Sequence, residues 1–181
     1  MKLRVLQILE QAADLHNELR SDPEVSLFLE EVAELCIKSV RNGGKILLAG
    51  NGGSAADCQH IAAELVGRFK RERNPIPAMA LNTDTSILTA ISNDYGFDKI
   101  FSRQIRAHGR EGDVVILITT SGESLNILTA QHMAINRGLD VVLFDNSRIP
   151  SKNTARIQEC HILFGHILCE LIEENLWEER A

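Results

Sequence analysis

Apolar residues recur every three or four positions from Leu3 to Leu19 (Leu3, Leu6, Leu9, Ala13, Leu15, Leu19), the period of an amphipathic helix. The same period returns from Pro23 to Val40 through Val25, Leu27, Phe28, Val32, Leu35, Cys36 and Ile37, and Asn42-Gly43-Gly44 ends it. The chain therefore opens with two consecutive helices. The texture then changes to short, unbroken apolar runs: Lys45–Ala49, Pro77–Leu81, Asp113–Ile118 and Leu139–Phe144. Such runs are expected of strands buried on both faces. Helical patterns lie between them, from Ser54 to about Phe69, after Thr83-Asp84-Thr85-Ser86, and from Ser124 to about Arg137. A last one runs from Thr154 to Trp177.

Strands alternating with helices predict a three-layer α/β sandwich around a parallel, flavodoxin-like sheet, preceded by the two N-terminal helices. No repeat, linker or low-complexity stretch divides residues 1–181, so a single domain is expected. In such sheets ligands sit beyond the carboxyl ends of the strands, near helix N-termini.

Composition narrows the function classes. Aromatic residues are 4% of the chain, too few for a base-stacking or sugar-stacking surface. Nineteen basic and 25 acidic residues leave a net charge of −6, with no electrostatic footprint for nucleic acid or an anionic membrane. Small anions stay open, because backbone amides bind them without net positive charge. Cys36, Cys58, Cys160 and Cys169 include no C-x-x-C pair, which argues for buried free thiols. Met1-Lys2-Leu3-Arg4 leads into Glu10, Asp14 and Glu18 rather than an apolar run, so no signal peptide is read and a cytoplasmic location is expected.

Two strand-to-helix loops have the position and composition of ligand sites. Gly50-Asn51-Gly52-Gly53-Ser54 lets backbone approach a ligand at a helix N-terminus. It lacks the Lys-Ser/Thr ending of a P-loop and the spacing of a dinucleotide fingerprint. A tight turn would explain it without any ligand. Thr119-Thr120-Ser121-Gly122-Glu123-Ser124 brings four hydroxyls to another helix start, more than capping requires and suited to a phosphate. Two such loops at adjacent strand ends suggest one ligand with a phosphate at one end. The absence of an obligatory Lys or Arg favours a phosphosugar over a nucleoside triphosphate.

Further along, His60 and Glu64 stand one helical turn apart on one face, a pair that can hold a metal, handle protons, or simply lie at the surface. Gln158, His161 and His166 punctuate the otherwise apolar C-terminal helix. Gln158 and His166 are separated by roughly 12 Å of rise and about 80° of rotation, an awkward span for one small ion. Either an ion lies at the limit of both reaches, or the residues serve sites shared between subunits.

With these residues in view the chain resembles the sedoheptulose 7-phosphate (phosphoheptose) isomerases of the sugar-isomerase, or SIS, superfamily. The matching runs are Gly50–Asp57, His60 with Glu64-Leu65-Val66-Gly67-Arg68, Asn93–Phe97, Phe101–Gln104, Thr120-Ser121-Gly122, Ile149-Pro150-Ser151 and Thr154–Glu159. The resemblance implies a five-stranded parallel sheet and a homotetramer with sites at subunit interfaces, residues 1–42 serving oligomer packing. It implies conversion of sedoheptulose 7-phosphate to D-glycero-D-manno-heptose 7-phosphate, the entry to ADP-heptose and the lipopolysaccharide core. By matched position Glu64 would be the base at carbon and His166 the acid that shuttles protons between oxygens. His60, Glu64, Gln158 and His166 would be the zinc ligands. Thr120, Ser121 and Ser124 would hold the phosphate, with Thr119 where relatives often have Ser. Asn51, Gly52, Gly53, Ser54, Asn93, Asp94 and Gln158 would line the sugar, and Arg68 stands at the family's active-site arginine.

An enediol isomerisation needs one base at the carbons and one group at the oxygens, so no nucleotide cofactor is expected. The alternative is a non-catalytic relative that binds the bacterial replication initiator; such relatives typically lack the acid–histidine pair. One departure from the family stands out. Between Phe144 and Ile149 only Asp145-Asn146-Ser147-Arg148 intervenes, where roughly fifteen to twenty more residues, one short helix-plus-strand crossover, are usual.

Overall fold

The structure, a computed structural model, describes residues 1–177. Two long helices, α1 (Lys2–Ser21) and α2 (Pro23–Arg41), precede β1 (Ile46–Gly50). Then follow α3 (Gly53–Val66), β2 (Ala78–Ala80), α4 (Thr85–Tyr95), α5 (Ile100–His108), β3 (Val114–Ile118), α6 (Leu125–Asn136), β4 (Asp140–Phe144) and α7 (Thr154–Leu176). The helical stretch after Thr83 is thus two helices. Gly96, at φ +95°, stops α4, and a single 3-10 turn at Phe97–Lys99 redirects the chain into α5.

All strands pair in parallel in the order β2-β1-β3-β4. Side-chain alternation divides the interior into two cores. Ile46, Leu48, Val114, Ile116 and Ile118 face a core shared with α2, α3 and α7. Leu47, Ala49, Val115 and Leu117 face the opposite core, with α5 and α6. Both faces of the sheet are therefore covered, and the strands read as continuous apolar runs. At the amino edge Asp113 locks β1 to β3 by accepting from the Lys45 N–H at 2.9 Å, the Lys45 Nζ at 2.5 Å and the Arg110 N–H at 2.8 Å.

The expected fifth strand is absent among the described residues. Residues 145–153 run directly from β4 to α7, held by a turn in which Asp145 Oδ1 accepts from the Ser147 N–H and hydroxyl. β4 is therefore one edge of the sheet, opposite β2. Among the described residues no helix is long and apolar enough to cross a membrane.

What sets the site is the contact between α3 and α7, which lie side by side and run in the same direction. Gly53 faces Gln158, Ile61 faces Gly165, and His60 faces His166. At Gly165 a Cβ would collide with Ile61, which is buried. Gly165→Ala should accordingly cost about 1–3 kcal/mol, measured by urea unfolding.

The four cysteines are free and buried, as expected. Burial pushes the Cys36 thiol up to about 12, with the neighbouring Cys169 adding to it. Burial likewise lifts Cys169 to about 12 and Cys160 to about 11. Ellman's reagent at pH 8 should label none of them at an appreciable rate in native protein and all four in denaturant.

Candidate active site

The strand order reverses between β1 and β3: β2 lies to one side of β1, while β3 and β4 lie to the other. The crevice of a parallel sheet opens at such a reversal. Both ligand-type loops leave the sheet there, residues 50–54 from β1 and residues 119–124 from β3. The two are tied by a reciprocal amide pair: Asn51 Nδ2 donates to Asn126 Oδ1 and Asn126 Nδ2 donates to Asn51 Oδ1, both at 2.8 Å. Asn126 is buried on the first turn of α6. No local pattern marks this residue, since the partners are 75 residues apart.

The helices that start at this crevice are left open. Asp22, Asp84 and Asn153 cap α2, α4 and α7 through their side chains. Gly52 and Ser124, at the N-caps of α3 and α6, make no such bond. Uncapped N-termini present free N–H groups and partial positive charge to an anion. Of the four hydroxyls, Thr119 accepts from the Gly122 N–H and Ser121 from the Glu123 N–H, both at 3.2 Å, so they shape the loop. Thr120 is half-buried and Ser124 sits at the α6 start.

Gln158 rests against the start of α3. A Cβ on Gly53 would strike its amide, so the two are in close contact. Seven residues later, about 10 Å along the helix, His60 Nε2 stands 2.9 Å from His166 Nε2 and 3.5 Å from Glu64 Oε1. The His166 ring stacks on Phe69, with centroids 5.7 Å apart and planes at 13°. The His60 side chain is 47% exposed and that of Glu64 24%, so the cluster is open to a ligand. Asp57, one turn before His60, has a buried oxygen without a partner. Burial raises its carboxyl above the ordinary range, against a smaller lowering by His60.

Two imidazoles and a carboxylate form a donor set that zinc accepts in catalytic sites. Nitrogens bound tetrahedrally at 2.0–2.1 Å stand about 3.3 Å apart, so His60 and His166 are at hydrogen-bond rather than ligand separation. A small rotation of either ring opens that gap. Among the described residues, no group of three or more His, Cys, Asp or Glu side chains is already arranged as a metal centre. Gln158 lies at the other end of the α3 contact from this cluster.

Other expected residues have partners outside this cluster. Arg68 is 64% exposed and reaches Glu72 at 3.9 Å. Asn93 donates to Asp94 at 2.8 Å on the exposed last turn of α4. His161 is a core histidine: it is fully buried, its Nε2 lies 3.1 Å from the Asp145 carbonyl, and burial lowers its pKa.

The chain is similar to known proteins over most of its length. The SIS domain family matches residues 9–144. A phosphoheptose isomerase of Roseiflexus sp. (strain RS-1) is 53% identical over 161 residues, covering 82% of each chain. One from Aneurinibacillus thermoaerophilus is 45% identical over 185 residues, covering 95% of this chain and 93% of its own. Among solved structures, a phosphoheptose isomerase from Neisseria gonorrhoeae superposes with a TM-score of 0.88 at 40% identity, covering 96% of this chain and 98% of its own. Another from Francisella tularensis gives 0.89 at 34%, covering 96% and 99%. The chain belongs to the SIS domain family, among its phosphoheptose isomerases.

Proposed function

We infer that this protein converts sedoheptulose 7-phosphate to D-glycero-D-manno-heptose 7-phosphate through an enediol. The observation that carries this reading is the convergence of Glu64 and His166, from two different helices, on His60, on the helix that starts at the crevice. The names of the relatives support a heptose phosphate as substrate.

The phosphate binds the Thr120, Ser121 and Ser124 hydroxyls and the open N-terminus of α6, with Thr119 holding the turn. Asn51, Gly52, Gly53, Ser54 and Gln158 line the sugar. Glu64 takes the proton from C1 and returns it to C2. His166 takes the O1 hydroxyl proton as that oxygen becomes the carbonyl, and delivers a proton to O2. Zinc, for which His60, Glu64 and His166 are the candidate donors, would polarise the oxygens that share the enediolate charge. An atom bound to the metal cannot take a proton, so the transfers use the second Glu64 oxygen and His166 while it is off the metal. Gln158, expected as a fourth ligand, serves the sugar instead.

Arg68, Asn93 and Asp94, exposed and bonded outside the cluster, serve the site of a neighbouring copy in a homotetramer. Residues 1–42 pack that assembly: Leu3, Val5, Leu6 and Leu9 of α1 are more than half exposed. A contiguous apolar surface of this kind marks an interface. The reaction takes place in the cytoplasm and feeds ADP-heptose for the lipopolysaccharide core.

Glu64→Gln should lower kcat on sedoheptulose 7-phosphate about 10²–10⁴-fold with an unchanged melting temperature; undiminished turnover refutes the base assignment. Chelation should suppress turnover and added zinc restore it, followed by product formation. Replacing both Leu6 and Leu9 by Glu should reduce the mass seen by light scattering.

A further inference from the structure

Below the Glu64–His166 pair lies a buried charged cluster that the reaction scheme leaves unused. Glu173 is on α7, seven residues after His166, and Arg73 is in the segment that follows α3. Arg73 Nε lies 2.9 Å from Glu173 Oε1, and the two side chains are 0% and 1% exposed. Buried charges are tolerated only when their remaining hydrogen-bonding capacity is satisfied. Here it is. Glu173 accepts from the N–H groups of Phe69 at 2.8 Å, Lys70 at 2.9 Å and Arg71 at 3.2 Å. Arg73 donates to the carbonyls of Glu64 and Leu65 at 2.7 Å, and to those of Gly67 and Asn74 at 3.2 Å. The Glu64, Leu65 and Gly67 carbonyls are those that the C-terminus of α3 leaves open, where a cation is favoured.

The cluster reaches Glu64 directly and His166 through Phe69. Arg73 holds the main-chain carbonyl of Glu64 itself. Glu173 holds the N–H of Phe69, whose ring is the platform stacked on His166. Trp177 closes the outer side, its ring 5.6 Å from the guanidinium. An apolar contact could hold two helices together but could not fix a carbonyl and a ring position at the same time.

We propose that Arg73 and Glu173 are positioning residues of the reaction: they fix Glu64 relative to His166, the latter through the Phe69 ring. This rests on the isomerase reading above. Removing one partner of a buried ion pair is strongly destabilising, so a variant that leaves the pair intact is needed to separate positioning from folding.

Three variants test it: Phe69→Leu, which keeps the N–H to Glu173 and removes the ring, Glu173→Gln, and Arg73→Lys. Each should lower kcat on sedoheptulose 7-phosphate at least tenfold per folded molecule, with KM within threefold. Arg73→Lys should retain more activity than Arg73→Met. Folded Phe69→Leu protein with kcat within twofold of wild type overturns the proposal, whether or not the charge variants fold. Histidine NMR separates this from a failure of the isomerase reading. Should wild-type protein not turn over the substrate, that reading falls, and the His166 imidazole resonances of Glu173→Gln decide. Their displacement supports positioning, and unchanged resonances refute it.

Discussion

The site exists because α3 and α7 run side by side in the same direction at close range. Glu64 and His166 are about a hundred residues apart in sequence. Each reaches His60, and the helices approach closely enough for this because Gly165 admits Ile61. Glycine inside a helix costs roughly 0.5–1 kcal/mol relative to alanine, so Gly165 is a local concession to helix approach. The sheet beneath contributes the other half of the geometry. Its parallel order sends every β-to-α loop to one edge, and its reversal between β1 and β3 opens a crevice where two of those loops meet.

Within that frame, binding and stability compete at the same helix ends. α3 and α6 begin without side-chain caps, although a cap typically contributes about 1 kcal/mol. The Asn51–Asn126 pair compensates by fixing the two loops to each other rather than each to its own helix. Glu173 shows the opposite economy. Burial alone would raise its carboxyl, but three backbone N–H groups and Arg73 outweigh it and hold the pKa below the ordinary range. A depressed carboxyl stabilises the fold above its unfolded pKa and loses that contribution as pH falls through the folded value. The segment behind Glu64 is thus acid-sensitive.

Much of this was legible in the sequence, for identifiable reasons. Strands buried on both faces leave unbroken apolar runs, and all four appear within a residue or two of their predicted places. The glycine and hydroxyl loops declare themselves by composition. The awkward separation of Gln158 and His166 follows from α3: one faces its start and the other faces His60 farther down. Spacing alone could not tell His161 from His166. Five residues is about 140° of helix, enough to put one in the core and the other against α3. Asn126, Asp57, Arg73 and Glu173 escaped notice because hydrogen bonding between residues far apart in sequence, or the loss of a partner on burial, leaves no periodic trace. The break at Gly96 was hidden because helical residues continue on both sides of it.

The direct passage from β4 to α7 has a consequence for solubility. A sheet that stops at β4 turns the outer N–H and C=O groups of that strand toward solvent, with Val141 and Leu143 half-buried beside them. Unpaired strand borders template association with other chains. The only charged residue on β4 is Asp140, at its start, so protection falls to the tight Asp145–Ser147 turn, which ends the ladder after five residues. At high concentration or after partial unfolding, that border is where uncontrolled aggregation of this shortened fold would begin.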